Sequence, residues 1–309
     1  MYDYLTLIVG VICAGIGGEL FVRGTVGLAR WARVSPGIIG ATIAAFATSS
    51  PELSIAINAG MAGKPEISLG DALGSNVVNV ALILALALVI SRIQTPRENV
   101  KRDFSVALLV PIITGVLLLD GVLSRFDGFL MLSLFLAWLV IAVIEALKQR
   151  SAAAKVLGEQ QGWVAVLSCV AGLGCLIAAG HLIVTGARGI AVALGIDAFV
   201  IGATIVAVGT SVPELATAVI AKLRGHDEVG LGTILGSNIF NGALIVPVAA
   251  ILSPITVSWR EVAVTLVFGL VALVFTYPSR KGFIERRRGI MLLVLYAVYL
   301  ATILQRQAA

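Results

Sequence analysis

Two glutamates lie near the middle of long apolar segments, and each directly follows a proline. Glu52 ends the stretch ATSSPE and Glu214 ends GTSVPE; each is the only charged residue in its segment, 37–61 or 199–221. A charge at the centre of a membrane helix costs about 2.5–3.5 kcal/mol even on lenient insertion scales. A surface glutamate at a helix end is therefore the weaker interpretation, and the two carboxylates indicate a cation-binding site.

The prolines beside these glutamates would free backbone carbonyl oxygens. Pro51 has no N–H, so within a helix the carbonyl of Ala47 loses its partner. Pro213 does the same to Gly209. At membrane depth a freed carbonyl must be buried in protein or face water or an ion. Hydroxyl groups adjoin both positions and could bind an ion or only satisfy the helix backbone; they belong to Thr48, Ser49, Thr210 and Ser211.

A second repeated motif, GSNVVN and GSNIFN, adds polar groups on two further apolar segments. Ser75 and Asn79 are four residues apart, which places them on one helix face. Ser237 and Asn241 repeat the spacing. The combined donors are carboxylate, amide, hydroxyl and carbonyl oxygens, without thiolate or imidazole, and such a set suits Ca²⁺ and, in subsets, Na⁺. The asparagines could alternatively serve as hydrogen bonds between helices.

Asp71 is an acidic residue that only the first copy of this motif carries, since Thr233 stands in its place in the second. Its position just after a glycine predicts a helix N-cap. The alternative is an acidic residue at the external mouth that recruits cations.

The elements that carry these residues must be membrane helices. Of 309 residues, 59% are hydrophobic and 13% charged, and the mean hydropathy is +1.04, which excludes an ordinary soluble domain. A helical span needs about 20 apolar residues, and the chain divides into ten. The predicted spans are Leu5–Leu28, Gly37–Met61, Leu69–Ile90, Phe104–Leu119, Phe126–Leu147, Gly162–Val184, Phe199–Ala221, Val229–Leu252, Val262–Tyr277 and Gly289–Leu304.

The two halves of the chain are copies of one pattern. Adding 162 to a position in the first half places GATIAAFATSSPEL on GATIVAVGTSVPEL and aligns the two GSN motifs. Each copy holds five predicted spans, an odd number, so the second copy enters the membrane from the opposite side. The predicted fold is therefore an all-α polytopic membrane protein of two inverted five-helix repeats, 1–147 and 162–309, joined by a cytoplasmic linker, 148–161. In such folds the binding site lies near the midplane between the repeats.

The basic residues predict the orientation of the chain in the membrane. With ten spans, 17 of the 22 Lys and Arg residues fall on one side and 5 on the other. Because basic residues accumulate in cytoplasmic loops, both termini are predicted to lie outside the cytoplasm, in an inner or plasma membrane. This arrangement also explains the net charge of +5 without a nucleic-acid partner.

The paired blocks TSSPE…GSNVVN and TSVPE…GSNIFN resemble the two alpha repeats of the calcium/cation antiporter superfamily, which includes sodium/calcium exchangers, and the short prokaryotic members most of all. The resemblance covers essentially the whole chain. It implies that Glu52 and Glu214 are the central calcium ligands and also serve sodium. It further implies carbonyl ligands at Thr48 and Thr210, amides at Asn79 and Asn241, and sodium sites lined by Ser49, Ser75, Ser211, Ser237 and the carbonyls of Ala45 and Ala207.

Two positions depart from the family pattern. Asn241 stands where well-studied exchangers place an aspartate, so the core keeps two carboxylates, enough to balance one Ca²⁺, two Na⁺ or two protons. Ala47 stands where the family usually has glycine, as at Gly209.

These observations predict a secondary antiporter that exchanges Ca²⁺ for Na⁺ by alternating access. The alternatives are a proton-coupled cation antiporter, a divalent-cation channel, and a much weaker one, an intramembrane hydrolase with paired acids. No enzymatic activity and no cofactor are expected, and the partners are the transported ions and the lipid bilayer.

Overall fold

The computed structural model describes residues 2–95, 97–153, 162–193 and 207–308, and most of them are helical. The helices are α1 (Tyr2–Ala32), α2 (Pro36–Thr48), α3 (Ser50–Met61), α4 (Pro65–Ile90), α5 (Arg97–Leu117), α6 (Arg125–Ala153), α7 (Gly162–Ala193), α8 (Ala207–Thr210), α9 (Val212–Leu223), α10 (Asp227–Leu252), α11 (Trp259–Thr276) and α12 (Arg286–Ala308). Four two-residue strands lie between helices: β1 (Ile93–Gln94), β2 (Val122–Leu123), β3 (Ile255–Thr256) and β4 (Phe283–Ile284).

Seven of the described helices are long and apolar enough to cross a bilayer, and the bent pair α2–α3 makes eight. These eight coincide with eight of the ten predicted spans. The predicted span Phe199–Ala221 lies partly outside the described residues, and the apolar part of α11, Val262–Thr276, is shorter than a typical span. The chain is thus a multi-pass helical membrane protein, and the count of ten stays a prediction.

We call ATSSPE (47–52) the first PE motif and GTSVPE (209–214) the second. The first PE motif breaks its helix, as the proline predicts. α2 and α3 meet at Ser49 with a bend of 46°, and Pro51 takes the first turn of α3, where its missing N–H costs nothing. The carbonyl of Ala47 does not stay free, because the Oγ of Ser50 donates to it at 2.7 Å.

The second PE motif repeats the break with nearly the same backbone. Ser211 has φ −89° and ψ 13° between α8 and α9, close to the −85° and 8° of Ser49. Val212 replaces Ser50 here, however, and a valine has no hydroxyl to donate to the carbonyl of Gly209.

The two GSN motifs lie on the most buried helices, α4 and α10, which form the centre of the molecule. Each helix changes to π-helical hydrogen bonding at the end of its motif, at Val78–Leu84 in α4 and at Asn241–Ile245 in α10. π-helical turns are frequent at functional sites. The sequence pattern gave no sign of them.

The prediction that Asp71 is an N-cap is wrong. α4 begins at Pro65 and is preceded by Lys64, so Asp71 lies inside the helix. Proline is favoured in the first turn of a helix, and that signal outweighs the Gly-Asp pair five residues later.

Contacts between the halves are reciprocal. β1 pairs with β4, and β2 pairs with β3. In the repeat alignment β3 is the counterpart of β1, while β4 is that of β2 with the register shifted by one residue. The counterparts of the two strands in one pair thus form the other pair, as a two-fold relation between the halves requires. Cys13 and Cys175, also 162 residues apart, meet along α1 and α7, where the Sγ of Cys13 lies 3.2 Å from the carbonyl of Cys175.

Ion pairs hold the ends of the helices that carry the second PE motif. Glu19 and Arg23, four residues apart on α1, form an ion pair, and Arg224 also donates to Glu19 at 2.7 Å. Asp227, which the sequence did not single out, accepts from Lys222 at 2.9 Å and from the backbone of Gln94 at 2.8 Å. This contact fixes the turn between α9 and α10 against β1.

Candidate cation site

The two glutamates of the PE motifs come together in the interior. Glu52 and Glu214 lie in the first turns of α3 and α9, and each is only 1% exposed. Their carboxylates are close enough to interact electrostatically. The N-terminus of a helix carries partial positive charge, which favours a carboxylate there. The acids therefore face a common interior region rather than separate surfaces.

Within the described ranges, the predicted ligand set contains many buried oxygens without a hydrogen-bond partner. Six of the predicted ligand residues have a buried side-chain oxygen with no hydrogen-bond partner among the described residues: Ser49, Glu52, Asn79, Ser211, Glu214 and Asn241. They form three pairs related by the 162-residue offset. An unpaired buried polar group costs about 1–3 kcal/mol, so six such groups within the predicted ligand set favour a bound ligand. Oxygen donors of this kind fit a hard cation.

The predicted hydroxyl ligands join the two halves. The Oγ1 of Thr48 lies 3.4 Å from the Oγ of Ser237, which in turn donates to the Oε1 of Glu214 at 3.5 Å. Thr48 also contacts the carbonyl of Ala45 at 3.3 Å, so the backbone interpretation of its hydroxyl holds in part. The hydroxyls of Ser49 and Ser211, by contrast, satisfy no helix backbone in the described chain.

The remaining predicted ligands are Ser75, Thr210 and the carbonyls of Ala45 and Ala207. Ser75 is buried, and Thr210 is half-buried at the end of α8. The carbonyl of Ala45 accepts the backbone N–H of Ser49 at 3.0 Å. Ala207 begins α8 directly after residues that the structure does not describe.

Asn79 and Asn241 hydrogen-bond between helices and still leave an oxygen free. The Nδ2 of Asn79 donates to the Oδ1 of Asn238 at 3.1 Å, and the Nδ2 of Asn241 donates to the Oδ1 of Asn76 at 3.0 Å. The interpretation of these asparagines as hydrogen bonds between helices is therefore confirmed, and their role as ligands stays a prediction. Sequence reasoning missed Asn76 and Asn238, although both are the Asn of a GSN motif and thus repeat at the same offset.

The charge of the region comes from few carboxylates. Within the described ranges, no three His, Cys, Asp or Glu side chains lie close enough together to hold one metal ion. Asp71 is a neighbour instead: it interacts electrostatically with Glu52, and its Oδ2 is buried without a partner among the described residues. The centre thus combines two carboxylates with neutral oxygens.

The long helices α1 and α7 pack unequally on the two PE motifs. A Cβ built on Gly18 of α1 would lie 3.0 Å from the side chain of Ile220 on α9. Gly180 of α7 occupies the equivalent position, and a Cβ there would lie 3.0 Å from the carbonyl of Gly209. Strict repetition would instead place Gly180 over Asn58 of α3, which is exposed. Both long helices therefore cover the second motif.

A cavity of about 280 Å³ lies beside this asymmetric packing. It reaches both helix breaks, at Pro51 and at Pro213, and its walls include Gly180, His181 and Thr210. His181 is exposed. The cavity therefore leads from the surface to the turns that carry the two glutamates.

Close packing of α7 explains the glycine at position 209. A Cβ on Gly209 would fall 1.9 Å from the Cγ2 of Val184, and β-branched valine has little rotamer freedom with which to move aside. We expect Gly209→Ala to destabilise the protein by about 1–3 kcal/mol through overpacking, measured as a lower midpoint of thermal unfolding in detergent.

The control for this prediction is Gly174→Ala on α7, the helix that also carries Val184. Nothing lies within 4 Å of a Cβ built on Gly174. That substitution should leave stability unchanged or raise it, because alanine favours helices. Val184→Ala should restore the stability of the Gly209→Ala variant. An unfolding midpoint for Gly209→Ala at or above that of the parent would contradict the packing argument.

The comparisons agree with the fold and the paired motifs. A family model described as sodium/calcium exchanger protein matches residues 2–144 and 164–305. CaxA of Alkalimonas amylolytica is 34% identical over 309 residues, covering 95% of this chain and 96% of that protein. The sodium/calcium exchanger MaX1 of Methanosarcina acetivorans is 28% identical, covering 97% and 98%. A structure of the sodium-calcium exchanger NCX_Mj soaked with Na⁺ and Sr²⁺ superposes with a TM-score of 0.83 at 32% identity, covering 97% and 98%.

Proposed function

The chain belongs to the sodium/calcium exchanger family, and on that premise we propose that it is a secondary antiporter that exchanges Ca²⁺ for Na⁺ across the membrane. Both the family and the fold are those of cation transporters. The ions would bind in overlapping places between Glu52 and Glu214, so that one kind displaces the other.

The observation that carries this proposal is a set of six buried oxygens in three repeat-related pairs, none of which has a hydrogen-bond partner in the part of the chain that the structure describes. Two of the six residues are carboxylates, whose combined charge balances one Ca²⁺ or two Na⁺. The remaining four offer neutral hydroxyl and amide oxygens. Flexible cages of oxygen ligands at high coordination number are what Ca²⁺ takes in proteins.

The architecture we propose is two inverted repeats of five helices, 1–147 and 162–309, with 148–161 between them. The reciprocal pairing of β1 with β4 and of β2 with β3 supports it. The basic residues support an orientation with both termini outside the cytoplasm.

We propose alternating access as the mechanism, and the unequal packing of α1 and α7 supports it. These helices cover the second PE motif and leave the face of α3 that carries Ser54 and Asn58 exposed. In the predicted topology that face lies toward the outside. A shift of the two helices onto α3 would exchange the covered and exposed motifs, because the repeats are inverted.

The second candidate, antiport coupled to protons, is favoured by Asn241. With an amide at this position the site holds two carboxylates, which two protons can neutralise as well as two Na⁺ can. A channel for divalent cations is less well supported, since inverted repeats around a midplane site favour gating on alternate sides.

The experiment that separates these candidates is uptake of ⁴⁵Ca²⁺ into proteoliposomes loaded with Na⁺. Uptake that requires an outward Na⁺ gradient and survives a protonophore supports Ca²⁺/Na⁺ exchange. Uptake driven by a pH gradient alone and indifferent to Na⁺ favours proton coupling, and flux far above carrier turnover favours a channel. Intact protein without any gradient-driven flux would refute antiport.

Asp71 is proposed to recruit cations on the outer side of the site. Its position beside Glu52, within the electrostatic reach of that carboxylate, supports this role. We expect Asp71→Asn to raise the external Ca²⁺ concentration for half-maximal uptake by about three- to tenfold, because a negative charge near an entrance concentrates cations. The effect should shrink at high ionic strength.

Glu66→Gln is the control for Asp71→Asn, since Glu66 is an exposed acid on the same helix α4. It should change the half-maximal concentration less than twofold. Equal effects of the two substitutions would contradict a specific role for Asp71.

A further inference from the structure

We propose that Asn76 and Asn238 are positioning residues, which hold the amides of Asn79 and Asn241 with their carbonyl oxygens toward the bound cation. The inference rests on the proposed function, because it assigns an ion to the region that these oxygens face. It concerns two side chains that the ligand set implied by the family resemblance does not include.

The four asparagines form one hydrogen-bonded network at the contact between α4 and α10. The Nδ2 of Asn76 donates to the backbone carbonyl of Asn238 at 3.2 Å, and the Nδ2 of Asn238 donates to the backbone carbonyl of Asn76 at 3.2 Å. The Oδ1 of each then accepts from the ligand amide of the opposite half, Asn241 or Asn79. Asn238 is 2% exposed and both ligand asparagines are 1% exposed, so water competes little for these bonds.

The chemistry of the partners fixes the orientation of every amide. A backbone carbonyl can only accept a hydrogen bond, so Asn76 must turn its NH₂ group toward Asn238. Its Oδ1 therefore points the other way, and an Oδ1 can also only accept. Asn241 must then turn its own NH₂ group toward Asn76, which leaves its Oδ1 for the site.

The same reasoning orients Asn79 through Asn238. The result agrees with the Oδ1 atoms of Asn79 and Asn241, which are buried and have no hydrogen-bond partner among the described residues. Because the orientation follows from the two backbone carbonyls, it does not depend on how the ends of any one amide are assigned.

An amide ligand needs such positioning, whereas a carboxylate does not. The two ends of an amide differ, and an NH₂ group turned toward a cation would repel it, while both oxygens of a carboxylate attract it. Asn241 carries a carboxamide, so its orientation is a requirement in this chain. Asn76 meets that requirement for Asn241.

The positioning is crossed between the halves, and this gives the proposal a specific test. Asn76→Ala should lower Ca²⁺ affinity about five- to tenfold, roughly the loss expected for one hydrogen bond between buried groups, although Asn76 does not touch the ion. The loss should largely vanish when Asn241 is already alanine and should persist when Asn79 is alanine. Asn238→Ala should behave in the opposite way, coupled to Asn79 and independent of Asn241.

Isothermal titration of the purified full chain with Ca²⁺ measures these double-mutant cycles. A second background isolates the orientation effect: with Asn241→Asp no amide end has to be chosen, so adding Asn76→Ala should cost less than twofold. Coupling confined to the crossed pairs supports the proposal. Equal losses in every combination, or a full loss in the Asn241→Asp background, would overturn it.

A readout without ions separates this proposal from the proposed function. Wild-type protein that binds neither Ca²⁺ nor Na⁺ would refute the proposed function. Thermal unfolding of the ion-free variants would then test the network by itself, since the same crossed pairs share hydrogen bonds. Crossed coupling of the unfolding midpoints supports the arrangement, and its absence overturns it.

Discussion

Glu52→Gln and Glu214→Gln are each expected to lower Ca²⁺ affinity by at least about 100-fold and to abolish exchange. Each substitution removes one of the two central carboxylates, and the loss of one partner from a buried charge pair typically costs about 3–5 kcal/mol. The measurement is calorimetric titration with Ca²⁺ together with ⁴⁵Ca²⁺ flux in proteoliposomes. Glu66→Gln, an exposed acid on α4, should leave both readouts unchanged.

The same variants carry a second expectation that does not involve ions. In ion-free protein Glu52 and Glu214 are two buried acids without a cation to balance their charge, so a neutral glutamine, whose burial costs less than that of a charge, should keep or raise the unfolding midpoint. A rise in stability together with a loss of affinity is typical of a binding residue rather than a structural one. Retained Ca²⁺ affinity in both variants would refute the site.

Asn241→Asp is expected to raise Ca²⁺ affinity by about ten- to 100-fold. A third negative charge beside a divalent cation adds an attraction of several kcal/mol at an effective dielectric constant of about 20, which desolvation and repulsion from the other two carboxylates offset in part. The added charge should also allow one more Na⁺ to bind per Ca²⁺ and so steepen the dependence of exchange on Na⁺.

Calorimetry and the Na⁺ dependence of ⁴⁵Ca²⁺ uptake measure these effects. Asn58→Asp is the charge-matched control on α3, because Asn58 is exposed, and it should change affinity less than threefold. Unaltered Ca²⁺ affinity and Na⁺ dependence in Asn241→Asp would show that position 241 does not face the ions.

The membrane class, the family and the helix breaks were predictable from the sequence. A proline next to a glutamate within an apolar segment has few structural explanations, and its repetition at a fixed offset removes most of those that remain. The resemblance to the calcium/cation antiporters is confirmed by the match over residues 2–144 and 164–305. The roles of the individual ligands stay predictions.

Other features were not predictable because they depend on partners distant in the sequence. Asn76 and Asn238 matter through each other's backbone carbonyls, 162 residues away, and nothing local distinguishes them from helix-packing asparagines. The error at Asp71 has a local cause, since Gly-Asp resembles a helix start and the true start at Pro65 lies five residues before Gly70.

The unequal packing of α1 and α7 could not be read from the repeats either. Two copies of one pattern predict equal surroundings for both PE motifs, yet in this conformation the long helices pack on α9 and not equally on α3. Gly209, against which Val184 packs, and Ala47, its counterpart, are the residues at which the sequence reflects this difference.

Ser50 gives the first broken helix a group that the second lacks. Its hydroxyl donates a hydrogen bond to the carbonyl of Ala47, which Pro51 frees. Val212, its counterpart, has no hydroxyl to donate to the carbonyl of Gly209. A carrier whose hinges were chemically identical would treat an ion in the same way from either face of the membrane. With a hydroxyl at one hinge and an apolar side chain at the other, half-saturating concentrations measured from the two faces should be unequal, and exchanging the residues at 50 and 212 should reverse the inequality.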